Sequence, residues 1–328
     1  LRAWQVHEPG EPVDVLRLER VADPAPGPGR ITVRVLAAAV SFPDVLLCRG
    51  LYQIKPAMPF TPGLEVCGEV LETGEDVTWP AVGDRVVGLS ALPHGGFAEH
   101  TVMEARSALP APEALDDPAA AAFYISYQTG WFGLHRRARL RAGETLLVHA
   151  AAGGVGSAAV QLGKAAGATV IGVAGGPDKV KIARGLGADV VVDRHQEDFT
   201  EVVAEVTAGR GADVVYDPVG GTAFSGSARC MAFEGRLVVV GFASGVVPRP
   251  SLSGALIDNY TIHGLHWGLY ARRDRPGIRR AHEELTALAA RGAVSPLVGE
   301  RLRLADVADG LQRLVDGTAG GRAVMLPD

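Results

Sequence analysis

Glu65 and Cys67 stand two residues apart in "FTPGLEVCGEV" (60–70), a carboxylate and a thiol framed by Pro62, Gly63 and Gly68. Oxygen and sulfur donors this close could be half of a metal site, or could pack in a tight bend. A second stretch, "LLVHAAAGGVGSAAVQLGKAAGA", offers backbone rather than side chains. Gly153 and Gly156 hold the second and third positions of a G-x-G-x-x-G pattern, with Ala151 at the first. That pattern alone is weak. Here it follows an apolar strand and opens a helix. Ala152, Gly153, Gly154, Val155 and Gly156 can therefore turn N–H groups and a helix dipole toward a pyrophosphate.

Which dinucleotide is read one strand later. An NAD site places Asp or Glu about 20 residues past the glycines, to bond the ribose 2′-OH. That distance from Gly153 lands on Val173, and the strand closes on Ala174, Gly175 and Gly176 with no carboxylate. Lys179 follows in the first helical turn and Arg194 ends the next strand, cations suited to a 2′-phosphate. Asp178 opposes this unless it turns outward. The expected cofactor is NADP(H).

The elements that must position these groups fall into two textures. Residues up to about Pro118 read as short strands between Gly and Pro turns, among them 31–40, 65–74 and 83–89, a small barrel-like β unit. From Glu144 onward, strands at 145–150, 169–175, 188–193, 212–220, 235–245 and 259–268 alternate with helices at 155–167, 177–187 and 197–209. Near-continuous Val/Ile/Leu strands between helices predict an α/β doubly wound parallel sheet. The tail from about Ile278, two amphipathic helices and a strand, is expected to return to the first domain.

Composition narrows the partners. Net charge is −5 and aromatics are 6%, so neither nucleic acid nor an anionic membrane surface is favoured. Three cysteines, Cys48, Cys67 and Cys230, form no C-x-x-C, which predicts a reducing, cytoplasmic setting without disulfides or a zinc knuckle. The chain opens on Leu1 without a signal peptide's apolar core, and no apolar run reaches membrane-spanning length.

Taken in order, "PFTPGLEVCGEVLETGEDV", "VGDRVVGL", "GGFAEH" and "AAAGGVGSAAVQLGKAAGATVIG" resemble the medium-chain dehydrogenase/reductase superfamily. The branch is that of the zinc-independent, zeta-crystallin-like quinone oxidoreductases. The resemblance implies a GroES-like catalytic domain, 1–118 completed by 266–328, and a Rossmann domain, 119–265. It also implies an active site in the cleft between them and a homodimer through the Rossmann domains, around Asn259 to Leu265. Zinc-using relatives would place their ligands at Ser41, Leu64 and approximately Ile125. Leucine and isoleucine cannot coordinate zinc, so no metal is expected.

Without a Lewis acid, hydride must go to an acceptor that carries its own electron sink, such as a quinone or enone. In related enoyl thioester reductases a tyrosine in a G-x-Y turn donates a proton, and the matching residue is Tyr52. Ser41 replaces a frequent asparagine and keeps a donor. Asp44 matches a retained carboxylate, read as structural before catalytic, and Glu65 as a brace. Phe42 and Ile125 are assigned to the substrate pocket. Phe242 and Ala243, after "RLVVVG", are expected beside the nicotinamide, because ligands sit at strand carboxyl ends. His266 and Trp267 could wall the pocket, and Arg322 could reach the cofactor phosphates. The run 271–280, "ARRDRPGIRR", could hold a CoA-type substrate or be solvated surface. The reading is an NADPH-dependent, zinc-free reductase of quinones or related α,β-unsaturated carbonyls. An enoyl thioester reductase and an NADPH-binding structural protein with little turnover remain alternatives.

Overall fold

The structure, a computed structural model, describes residues 1–318 and 321–327. Its contacts divide the chain into two units, Leu1–Ile125 with Ser295–Asp328, and Ser126–Val294.

The first unit begins with strands β1 (Arg2–Val6), β2 (Leu16–Arg20), β3 (Arg30–Ala39), β4 (Glu65–Thr73), β5 (Arg85–Leu89), β6 (His100–Glu104) and β7 (Leu109–Pro110). Helices α1 (Pro12–Val15) and α2 (Phe42–Cys48) interrupt them. Alternation in these strands puts Ile31, Val33 and Val35, and across from them Val66 and Val70, into one core with Phe60, Phe97 and Met103. Helix α3 (Asp117–Trp131) follows, and the division of the chain falls within it.

The second unit holds strands β8 (Thr145–Val148), β9 (Thr169–Ala174), β10 (Val190–Asp193), β11 (Ala212–Asp217), β12 (Met231–Val239) and β13 (Thr261–Gly264). Its helices are α4 (Gly154–Ala165), α5 (Pro177–Gly185), α6 (Phe199–Val206), α7 (Gly221–Arg229), α8 (Leu252–Asp258), α9 (Trp267–Arg273) and α10 (Arg275–Ala290). All six strands are parallel, in the order β10-β9-β8-β11-β12-β13. Counted within the unit this is 3-2-1-4-5-6, the doubly wound dinucleotide-binding order. Strands β14 (Val298–Arg303) and β15 (Arg322–Leu326), with α11 (Val307–Val315), then complete the first unit, whose larger sheet runs β14-β15-β3-β4-β5-β7 with β6 on β3.

The boundaries differ from those expected. Residues 119–125 belong to the first unit, where the Ile125 N–H donates to Glu65 (2.7 Å) and Arg85 pairs with Asp117 at the start of the same helix (2.7 Å). Residues 266–294, expected to return to the first unit, stay with the second. There α10 buries Ile278, Ala281 and Leu285. Gln128 donates to the Ile278 carbonyl (3.0 Å) and Trp131 to Glu284 (2.7 Å), tying α10 to the later half of α3. No helix among the described residues is long and apolar enough to cross a membrane.

Candidate active site

The glycine loop leaves β8 through Ala150, whose φ of 50° is left-handed, and enters α4 at Gly153. Gly156 is required by contact. A Cβ there would lie 2.1 Å from the Ala150 carbonyl oxygen, so only glycine lets α4 pack this close to the loop. The first-turn N–H groups of Gly154, Val155 and Gly156 have no intrahelical carbonyl to bond, and the helix dipole adds to their field. Ala152, within the turn itself, is buried. These residues fit a dinucleotide pyrophosphate.

At the end of β9, the Arg194 guanidinium lies over Gly175. A Cβ on that glycine would come within 2.6 Å of Arg194 Nε. Lys179 stands in the first turn of α5. Asp193, the nearest preceding carboxylate, accepts from the N–H groups of Gly176 and His195 (3.0 Å each), which hold it below the usual carboxylate range. Asp193 thus braces the turn through Gly176, and Asp178 is exposed.

Beyond β12, Phe242 is 41% exposed, and its ring would stand 3.0 Å from a Cβ built on Gly220. The N–H groups of Ala243 and Ser244 donate to the carbonyls of Pro218 and Val219 (3.0 Å each). That turn is fixed by Asp217, whose Oδ1 accepts from Val219 and Gly220 (2.8 and 2.9 Å). Asp217 was missed in the sequence. Its signal was an aspartate ending a strand before Pro-Val-Gly-Gly, which favours an Asx turn. Exposed His266 is the N-cap of α9 and Trp267 is buried behind it. Arg280 lies over the Trp131 ring, 5.9 Å from its centroid, so the basic run 271–280 is partly packed.

In the first unit, Ser41 is the N-cap of α2 and Asp44 its N3 residue. Asp44 is fully buried. Its Oδ2 accepts from the Ser41 N–H (3.0 Å) and hydroxyl (2.8 Å), and its Oδ1 from the N–H groups of Gly63 and Leu64 (3.0 and 3.1 Å). Burial raises its carboxyl and these bonds oppose the rise. Two of the expected catalytic residues therefore serve each other. The Ser41 hydroxyl spends its proton on Asp44, and Asp44 is a positioning residue. Tyr52 packs half-buried on the core, and burial with the nearby Asp44 raises its phenol. Phe42 is 37% exposed at the start of α2.

Arg322, expected to reach the cofactor phosphates, instead donates to Glu65 Oε2. Glu65 is fully buried and also accepts from Ile125. Burial pushes its carboxyl up to about 7, with Arg322 pulling the other way. Cys67 points elsewhere, toward Asp117, so the opening carboxylate and thiol do not converge.

The sequence matches an alcohol dehydrogenase GroES-like domain over residues 27–113 and a zinc-binding dehydrogenase domain over residues 154–283. It is 35% identical over 326 residues to the quinone oxidoreductase-like protein 2 homolog of Nematostella vectensis, covering 99% of this chain and 88% of that protein. The Escherichia coli quinone oxidoreductase complexed with NADPH superposes with a TM-score of 0.92 and 30% identity, over 100% of both chains. A 237-residue segment, 72% of this chain, is 38% identical to the phthioceranic/hydroxyphthioceranic acid synthase of Mycobacterium tuberculosis, of which it covers 11%. With the doubly wound sheet, its glycine loop and the β-rich unit already described, the chain belongs to the medium-chain dehydrogenase/reductase family of oxidoreductases, in its quinone oxidoreductase-like branch.

Proposed function

We propose that the protein is an NADPH-dependent, zinc-free reductase of quinones or related α,β-unsaturated carbonyls. The observation that carries this reading is a pair of hydrocarbon side chains, Leu64 and Ile125, at two of three positions where zinc-using relatives would place ligands. A catalytic zinc needs three N, S or O protein ligands. Among the described residues no three His, Cys, Asp or Glu side chains gather where a metal could be held. An alkoxide would then lack its Lewis acid, which favours acceptors that delocalise their own charge.

For the cofactor, Gly153 to Gly156 would hold the pyrophosphate and Lys179 with Arg194 the 2′-phosphate. The placement of Arg194 over Gly175 supports NADPH over NADH. When bound, the cofactor supplies hydride. Phe242 and Ala243 would flank its nicotinamide, held by the Asp217 turn. Tyr52 Oη keeps its proton at neutral pH, because burial and Asp44 both disfavour phenolate. It can hydrogen-bond a developing enolate oxygen or protonate its carbon. Asp44 fixes α2 against the Gly63–Leu64 turn and so orients the segment that carries Tyr52.

The test follows NADPH and NADH oxidation against quinones, enones and enoyl-CoA esters, with and without chelator. NADPH-dependent quinone or enone turnover that survives chelation is expected. Loss on chelation, or NADH preference, would overturn the reading. Tyr52 favours a second one, an enoyl thioester reductase, marked by kcat/KM highest on enoyl-CoA esters. The proposal includes a homodimer through the edge strand β13. Next to it in the chain, α8 exposes Leu252, Leu256 and Ile257 (78%, 77% and 71%). A monomer by light scattering at micromolar concentration would refute that part.

A further inference from the structure

Arg137, Arg139 and Arg141 line an open cavity of about 500 Å³ in the second unit, with Arg136, Arg236 and His263. Three carboxylates, Glu144, Asp213 and Glu234, also face it, against five guanidinium groups. Two of the arginines are satisfied inside the protein. Arg236 donates to the carbonyls of Ala138 and Asp213 and to Glu144 (2.9, 3.2 and 2.7 Å), and Arg136 pairs with Asp274 (2.9 Å). Asp213 accepts from the Thr145 N–H (2.8 Å) and lies 3.7 Å from Arg210. Among the described residues, Arg137, Arg139 and Arg141 have no carboxylate partner, and the Nε of Arg137 is buried without any hydrogen-bond partner. A buried guanidinium N–H left unpaired is unfavourable unless something completes it. The backbone is unusual here as well, with Arg139 and Glu234 at φ of 51° and 58°, where L residues rarely sit.

The cavity is remote from the cofactor loop. Leu146, Val214, Arg236 and Thr261 share one row of the sheet near the starts of β8 and β11. The glycine loop follows the other end of β8, a strand of four residues or about 13 Å. We propose that this cavity is a second anion site, which takes a small phosphorylated ligand on the guanidinium groups of Arg137, Arg139 and Arg141. Planar guanidinium forks match phosphate oxygens two at a time, and the volume suits a small molecule. Among the described residues, these three guanidinium groups face one lining carboxylate that is in no ion pair, Glu234, and the positive surplus favours a multivalent anion such as phosphate over a single carboxylate. His263, bonded through Nε2 to Thr261 Oγ1 (3.1 Å), reports the field. Burial lowers its pKa, and Arg137, Arg236 and Arg139 lower it further. A bound phosphate would cancel the arginine contribution and raise it.

The experiment uses the full chain saturated with NADPH, so that the cofactor's own phosphate contacts are filled. Saturation is established first by a separate titration, which keeps failure of cofactor binding distinct from failure of the anion site. Inorganic pyrophosphate is then titrated by calorimetry, with the His263 ring protons followed by NMR. Saturable binding and an upward shift of the His263 titration are expected. Arg137→Gln with Arg139→Gln should weaken pyrophosphate binding at least about tenfold, with NADPH affinity unchanged. Lys179→Gln with Arg194→Gln should leave it intact at saturating NADPH. No saturable binding, equal binding by the Arg137/Arg139 variant, or loss only in the Lys179/Arg194 variant would overturn the proposal. If the double variant folds poorly, Arg141→Gln at its exposed position decides: weaker binding supports the site and unchanged binding refutes it.

Discussion

Replacing Arg322 by Met isolates the buried charge at Glu65. That carboxyl is fully buried and keeps the Ile125 N–H as its other partner in the first unit. Removing one member of a buried pair typically costs about 3–5 kcal/mol, because the other is left uncompensated. Glu65 can limit the loss by taking a proton, so the loss should depend on pH. In the native protein its carboxyl is raised from 4.5 to about 7. Between those values the folded state holds a proton that the unfolded state has released, so stability falls as pH rises through the window. From pH 6 to pH 8 a group titrating near 7 contributes a fall of about 1.4 kcal/mol. Without Arg322, which lowers it, the folded carboxyl rises further and the fall steepens toward a limit of about 2.7 kcal/mol. Urea denaturation of both proteins should therefore show a loss larger at pH 8 than at pH 6, by up to about 1.4 kcal/mol. Exchange of the Ile125 amide should quicken in parallel. Adding Glu65→Gln should recover much of the loss and flatten its pH dependence. A pH-independent loss, or one below about 1 kcal/mol, would refute the claim that Arg322 exists to compensate Glu65.

Other substitutions probe the remaining parts. Tyr52→Phe should lower kcat for enone reduction by about 10²-fold with NADPH affinity unchanged; an unaltered kcat removes Tyr52 from the chemistry. Asp44→Ala orphans the N–H groups of Ser41, Gly63 and Leu64 and should destabilise by about 2–4 kcal/mol, read by thermal or urea unfolding. Lys179→Gln with Arg194→Gln should raise the NADPH Kd at least about tenfold while changing the NADH Kd far less. Gly156→Ala, with its Cβ 2.1 Å from the Ala150 carbonyl oxygen, must displace α4 and should abolish tight NADPH binding in a fluorescence titration.

The Rossmann unit was readable because its signals are local. Each strand from 145 to 193 is a continuous apolar run closed by glycine or a cap, and the structure trims these elements by a few residues without moving them. Elements lacking such signals went unread. α7 (Gly221–Arg229) is rich in Gly and Ser, α8 buries no residue, and α2 opens on Phe-Pro in a segment read only for its side chains. The candidate site was half legible for a related reason. Gly153, Gly156 and Arg194 stand where their own sequence neighbours place them, at the strand–helix turn and at the end of the following strand. Arg322 does not, because its partner Glu65 lies 257 residues away and reaches it only through β15 pairing with β3 and β3 with β4. The boundary at residue 266 failed similarly. The amphipathic face of α10 shows that it must pack, but nothing in its periodicity says against which unit.

The turn from Pro62 to Glu65 keeps a scaffold role at a position, Leu64, where zinc-using relatives would place a ligand. Gly63 has a φ of 100°, and a Cβ there would lie 2.5 Å from the Phe97 nitrogen, so glycine is imposed by backbone crowding. Its carbonyl accepts from Ser90 Oγ (2.8 Å) and from the Gly96 N–H (2.6 Å), while the Pro62 carbonyl accepts from Phe97 (3.0 Å). The turn is thus anchored on one side by the 90–97 loop. On the other, the N–H groups of Gly63 and Leu64 hold Asp44, and Asp44 holds the N-terminus of α2. None of these bonds uses the side chain of residue 64. Leucine can therefore stand there at no cost to the frame that positions Tyr52, and the Leu64 side chain is itself buried in the core. On the proposed zinc-free reading, its hydrocarbon stands where zinc-using relatives would place a ligand while the backbone keeps its bonds, so the frame around Asp44 would survive a change of chemistry to acceptors that stabilise their own charge.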